Sequence, residues 1–143
     1  MKKCSDIMTK DLIFSHPTDT VDDVAKLMKK EDIGPVLIVE KGDQGKRLVG
    51  IVTDRDLALK VVGEGRDPKK TTVKDVMTTK VVTCRADDDV QNAMNAMAQH
   101  QLRRIPVVDE YGMLVGIISQ ADVATRVDEP EQTAEVVREI SQD

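Results

Sequence analysis

Two apolar runs short enough to be buried strands, Val36-Leu37-Ile38-Val39 and Ile105-Pro106-Val107-Val108, are each followed by a second run, Leu48 to Val52 and Leu114 to Ile118. The link between the runs is short and rich in glycine and charge, which makes the strands antiparallel neighbours. Ahead of each pair the pattern turns helical. Val21, Val24, Leu27 and Met28 fall on one helical face, as do Val90, Ala93, Met94 and Met97. Polar clusters, Pro17-Thr18-Asp19-Thr20 and Ala86-Asp87-Asp88-Asp89, stand at the helix starts, and Thr20 with Asp23 has capping-box spacing. A short apolar segment leads in each time (Leu12-Ile13-Phe14; Val81-Val82-Thr83), and a helix closes each set, Asp54 to Val62 or Gln120 to Val127. The pattern predicts an α/β (α+β) protein with the order strand, helix, strand, strand, helix, twice over.

The repetition extends to the residues themselves. Asp6-Ile7-Met8-Thr9 returns as Asp75-Val76-Met77-Thr78, and Leu48-Val49-Gly50-Ile51-Val52-Thr53 returns as Leu114-Val115-Gly116-Ile117-Ile118-Ser119. The offset is 69 positions from Asp6 to Glu40 and 66 from Leu48 onward, so three extra residues fall between Lys41 and Arg47. Insertions belong in exposed turns, which places a hairpin tip there. The chain divides into repeat 1 over 1–62, a Gly- and Pro-bearing linker over 63–70, repeat 2 over 71–127 and an acidic tail over 128–143. In the tail Pro130, Thr133, Val137 and Ile140 fit a short amphipathic helix. A lone repeat of about 60 residues has a marginal core, so the halves are expected to form one module.

Composition narrows the function. One Phe, one Tyr and no Trp leave no aromatic platform for bases, and a net charge of −5 without a basic stripe repels phosphate backbones, so nucleic acid is not the expected partner. No stretch approaches the ~20 apolar residues of a membrane span, and no apolar run follows the first residues as in a signal peptide, so a cytoplasmic protein is expected. Cys4 and Cys84 occupy non-equivalent places in the repeat and lack the spacing of a metal or redox pair. Free thiols are the expectation. His16 and His100 are isolated, and no metal site is expected. The methionines Met8, Met28, Met77, Met94 and Met97 suit core filling.

The sharpest local signal is the segment after each last strand, Gly50-Ile51-Val52-Thr53-Asp54-Arg55-Asp56 and Gly116-Ile117-Ile118-Ser119-Gln120-Ala121-Asp122. A hydroxyl residue precedes an aspartate by three positions in both, the signature of a helix cap. The same geometry offers free NH groups to a phosphate and a carboxylate to paired ribose hydroxyls. Cap and ribose ligand can be the same Asp. Enzymatic turnover lacks its means in this sequence, which has no nucleophile with an adjacent base, no P-loop and no metal triad.

With the DxMT lead-in, the apolar run ending in Pro-Val-Val-Asp and the Gly-apolar-apolar-[Ser/Thr]-x-x-Asp exit, the chain resembles a tandem pair of cystathionine-beta-synthase (CBS) domains, the Bateman module, over about residues 4 to 127. It is similar to small stand-alone bacterial CBS-pair proteins. The resemblance implies two repeats about a pseudo-two-fold axis and a regulatory, non-catalytic module that binds an adenine nucleotide (AMP, ADP or ATP). NAD, S-adenosylmethionine or a ligand-free dimerisation role are the alternatives. It implies ribose contacts from Asp56 and Asp122 and phosphate contacts near Thr53 and Ser119, in clefts that combine Ile13, Ile33 and Gly34 with Ser119 and Asp122, and Val82, Leu102 and Arg103 with Thr53 and Asp56. Arg103-Arg104, aligned with Gly34-Pro35, become a phosphate clamp that makes the clefts non-equivalent. A homodimer, an unidentified protein effector and no catalytic cofactor complete the expectation.

Overall fold

The structure, a computed structural model, describes residues 2–126. In chain order the elements are α1 (Cys4–Ile7), β1 (Phe14–Ser15), α2 (Val21–Glu31), β2 (Val36–Gly42), β3 (Gly45–Val52), α3 (Asp54–Leu57), β4 (Cys84–Arg85), α4 (Val90–His100), β5 (Arg104–Val108), β6 (Leu114–Ser119) and α5 (Gln120–Arg126). Each repeat thus has its strand, helix, strand, strand, helix order, and the expected tail helix lies outside the described residues. Two three-stranded sheets form, in the orders β1-β2-β3 and β4-β5-β6. The first strand of each is parallel to the middle one (Phe14↔Leu37; Cys84↔Val107), and the last is antiparallel to it (Val36↔Val52; Ile105↔Ile118). Both antiparallel pairs shift register at the equivalent place, Ile38/Val39 and Val107/Val108, so even the bulge is duplicated.

Two compact units emerge: a middle unit, Ile13–Val81, and an outer unit joining Met1–Leu12 to Val82–Asp143. Each repeat's DxMT segment therefore packs in the unit of the other repeat's strands. In the middle unit Val73 N donates to Asp19 O (2.8 Å), Lys74 N to Pro17 O (3.0 Å) and Val21 N to Thr71 O (2.9 Å). In the outer unit Cys4 N donates to Asp88 O (2.9 Å), Ser5 N to Ala86 O (3.0 Å) and Val90 N to Lys2 O (2.9 Å). These are the same three bonds at the 69-residue offset, so the outer unit is a circular permutation of the middle one.

The glycine of each exit motif follows from this docking. Thr78 bridges Ile51 and Thr9 bridges Ile117, laying the DxMT segments along the edge strands β3 and β6. A Cβ on Gly50 would stand 2.9 Å from both Met77 Sδ and Thr78 O, and one on Gly116 would stand 2.5 Å from Met8 Sδ. Only glycine admits the close approach. The core of the middle unit is built from Val21, Val24, Met28, Val36, Ile38, Val52, Val61, Val73 and Val76. That of the outer unit has Ile7, Val90, Ala93, Met94, Met97, Ile105, Val107, Ile118 and Val123 with both cysteines. The helical faces read from the sequence are the buried ones.

Three expectations are corrected. The three extra residues lengthen the β2–β3 hairpin rather than forming a loop from Lys41 to Arg47, because Glu40↔Arg47, Lys41↔Lys46 and Gly42↔Gly45 continue the ladder and leave Asp43-Gln44 as the tip. The leading strands begin at Phe14, the last residue of one apolar segment, and at Cys84, just after the other, since only two residues of each strand find partners on the middle strand. The helix from Asp54 to Val62 is α-helical to Leu57 and π-helical over Ala58–Val62, with Gly63 N donating to Ala58 O (2.8 Å). Among the described residues no helix is long and apolar enough to cross a membrane.

Candidate functional site

Helices α2 and α4 end in the same way. Asp32 (φ 54°) and Gln101 (φ 56°) adopt the left-handed conformation, and Ile33 N and Leu102 N bond back to Met28 O (3.1 Å) and Met97 O (2.8 Å). The chain turns there and delivers residues 33–34 and 102–103 to the end of the sheet where the last strand exits. Asp54 N donates to Gly34 O (3.1 Å), and Gln120 N donates to Arg103 O (2.9 Å). The parallel first strand starts at the same end, which brings Ile13 and Val82 there, both half-buried.

Both exit turns are reciprocal capping boxes. Thr53 Oγ1 accepts from Asp56 N (3.1 Å) and Asp56 Oδ2 from Thr53 N (3.0 Å). Ser119 Oγ accepts from Asp122 N (3.2 Å) and Asp122 Oδ2 from Ser119 N (2.9 Å). Asp56 is further engaged, since its Oδ1 lies 3.2 Å from Lys60 Nζ, which also donates to Val76 O (3.0 Å). The sequence reading missed Lys60, although its i,i+4 spacing from Asp56 was a usable signal.

Charge separates the turns. The middle-unit turn carries Asp54, Arg55 and Asp56, with Lys60 on Asp56, beside uncharged Gly34-Pro35, a charge-balanced set. The Asp54 carboxylate fills the space next to Gly34, with Oδ1 3.2 Å from where a Cβ would be. At the outer-unit turn the equivalents of Asp54 and Arg55 are Gln120 and Ala121, and Arg103 and Arg104 stand beside Asp122, a net positive set. Arg104 is the register partner of Ser119, both arginines are exposed, and neither forms an ion pair with a described residue. Gln120 Nε2 is buried without a hydrogen-bond partner among the described residues. An unsatisfied buried amide is costly, and a ligand acceptor would satisfy it.

The structure thus brings Ile13, Ile33 and Gly34 to Thr53 and Asp56, and Val82, Leu102, Arg103 and Arg104 to Ser119 and Asp122. His16, exposed as expected, has its Nδ1 3.0 Å from Val39 O. It helps line a pocket of about 440 Å³ with Thr18, Glu40, Lys41, Lys74 and Met77, at the opposite end of the middle sheet from the exit turn. The acidic run serves helix start and turn: Asp89 accepts from Gln91 N (2.9 Å) and Asp88 from Arg85 N (3.0 Å). Among the described residues no group of three or more His, Cys, Asp or Glu side chains is placed to hold a metal.

A CBS domain profile matches residues 4–63 and 73–129. The chain is 36% identical over 141 residues to the CBS domain-containing protein YhcV of Bacillus subtilis, covering 99% of this chain and 96% of that one. It spans 59% of the length of protein MK0525 of Methanopyrus kandleri, to which it is 36% identical over 118 residues, 82% of this chain. The crystal structure of hypoxic response protein I with two coordinated zinc ions matches with a TM-score of 0.74 at 32% identity, over 88% of this chain and 99% of that one. The CBS domain pair of protein MJ0100, solved with 5′-methylthioadenosine and S-adenosyl-L-methionine, matches with a TM-score of 0.67 at 31% identity, over 87% and 94%.

Proposed function

The chain belongs to the CBS domain family, and from that premise we propose that it is a regulatory, non-catalytic module that senses a phosphorylated adenosine ligand (AMP, ADP or ATP) at the outer-unit exit turn. The observation that carries this reading is the pair Arg103-Arg104 flanking a turn that also holds the buried Gln120 Nε2, which has no partner among the described residues. Asp122 takes the ribose hydroxyls, Ser119 lies by the phosphate, the arginines clamp it, and Val82 and Leu102 offer apolar surface to the adenine. MJ0100, a relative in structure, binds adenosine-containing ligands, which supports the nucleoside part. The middle-unit turn, with Thr53, Asp56, Ile13, Ile33 and Gly34, is the weaker site for a phosphate because Asp54 repels it and Lys60 already occupies Asp56. Binding alters a homodimer or a protein effector only through differential affinity for two states.

A second reading has its own observation: both turns are complete reciprocal caps. On that reading the module is a ligand-free dimerisation unit. Calorimetric titration with AMP, ATP, NAD and S-adenosylmethionine separates the two. The proposal expects AMP or ATP binding that Asp122→Ala abolishes and Asp56→Ala spares. No binding by any of the four, with each alanine costing about 1 kcal/mol of stability, would leave the caps as the whole function.

A further inference from the structure

Cys4 and Cys84 are equivalent to Val73 and Ser15 of the middle unit, so the outer unit alone places two thiols where the docked DxMT segment meets the first strand. They are separated by most of the chain, which is why their spacing signalled nothing. Docking brings them together: Cys4 N and Ser5 N bond to Asp88 O and Ala86 O, just beyond β4, and the two thiols lie in one buried core cluster. Cys4 is fully buried and Cys84 is 5% exposed. Cys4 Sγ also lies 3.8 Å from Asp89 O, and Cys84 Sγ lies 3.9 Å from Pro106 O. Two neighbouring thiols buried in one core cluster are placed for a covalent bond, and neither belongs to the candidate ligand site.

We propose that Cys4 and Cys84 are a site of reversible oxidation, at which a hydroperoxide converts the thiol pair into an intramolecular disulfide. The neighbouring Cys84 thiol is the main influence lowering the pKa of the Cys4 thiol, against burial and the carboxylates of Asp88 and Asp89. Cys4 in turn is the main influence raising that of Cys84, with burial adding to it. Cys4 is therefore the attacking sulfur. Its thiolate attacks one peroxide oxygen, the S–O bond forms as the O–O bond breaks, and the released hydroxide leaves as water after taking up a proton. The Cys84 sulfur then attacks the Cys4 sulfenic acid, the S–S bond forms as the S–O bond breaks, and the thiol proton departs with the hydroxyl as a second water. Two thiols and one peroxide give one disulfide and two waters. α1 is a single turn, so local opening admits a molecule the size of hydrogen peroxide. The bond pins the DxMT segment, and with it Met8 over Gly116, to the outer unit.

The test uses the full chain. The native protein is treated with hydrogen peroxide, then unfolded, alkylated and examined by peptide mass spectrometry, with a urea-unfolded sample treated alongside. The expected result is a Cys4–Cys84 linked peptide within one chain, two hydrogens lighter than the reduced pair and reversed by dithiothreitol. The native sample should form it at least roughly tenfold faster than the unfolded one, because folding raises the thiols' effective concentration. The melting midpoint should rise by roughly 5 °C. Alkylation of both cysteines after oxidation, a sulfinic acid in place of the link, a link between chains, or equal rates in native and unfolded protein would each overturn the proposal.

Discussion

The middle and outer units share their strand order, their bulge, their helix ends and three backbone ties at one constant offset, yet they differ in chemistry at two places. At the exit turn the middle unit is charge-balanced and internally satisfied, whereas the outer unit is basic and holds a buried amide without a described partner. At the DxMT docking site the middle unit has Val73 and Ser15, whereas the outer unit has two cysteines. Duplication has kept what the fold needs, the glycines and the caps, and has let diverge what a ligand or an oxidant would meet. The same backbone therefore supports two chemistries.

The comparison is broken most forcefully at the glycines. Gly50→Ala should cost about 2–3 kcal/mol in urea denaturation, because one of the colliding atoms is the fixed backbone oxygen Thr78 O. Gly116→Ala should cost less, about 1–2 kcal/mol, because it meets the side chain of Met8, which can move. A double-mutant cycle sharpens this: Met8→Ala should relieve part of the Gly116→Ala loss, while Met77→Ala should leave most of the Gly50→Ala loss in place. Equal costs and equal relief would show the two dockings to be the same.

The caps come next. Thr53→Ala and Ser119→Ala should each cost about 1 kcal/mol, since each removes the hydroxyl that accepts from the N3 amide. The smallest effect separates the units by pH. The Ser15 hydroxyl, more than any other group, holds the Asp19 carboxyl below its ordinary value of 3.8, so its contribution is present above that value and is lost as pH falls through the lower folded value. Asp19→Asn should therefore destabilise by under about 1 kcal/mol at neutral pH, a difference that closes in acid. A gap that widened as the pH fell would reverse the sign of this account.

Much of this was legible in the sequence, for reasons particular residues make plain. The helical faces of Val21, Val24 and Met28 and of Val90, Met94 and Met97 are buried as their period required. The capping spacing of Thr53 with Asp56 and Ser119 with Asp122 folded into reciprocal caps. The exchange of DxMT segments was not legible, because the offset of 69 is the same whether Asp6-Ile7-Met8-Thr9 docks on its own repeat or on the other. The meeting of Cys4 with Cys84 was hidden for the same reason. Gln120 was visible as a departure from Asp54, but the burial of its Nε2 without a partner among the described residues is a tertiary fact. The hairpin tip was misjudged because charged Lys41, Lys46 and Arg47 read as loop while the ladder carried them as strand.

The central claim is that the arginine pair makes the outer-unit turn the phosphate site. Its most direct test is titration of AMP, and of adenosine in parallel, into the wild-type chain and the Arg103→Ala/Arg104→Ala double variant. The account predicts that AMP affinity falls at least roughly tenfold, as expected for lost charge-assisted hydrogen bonds, while adenosine affinity is unchanged. AMP binding that is equally tight in both proteins would contradict it.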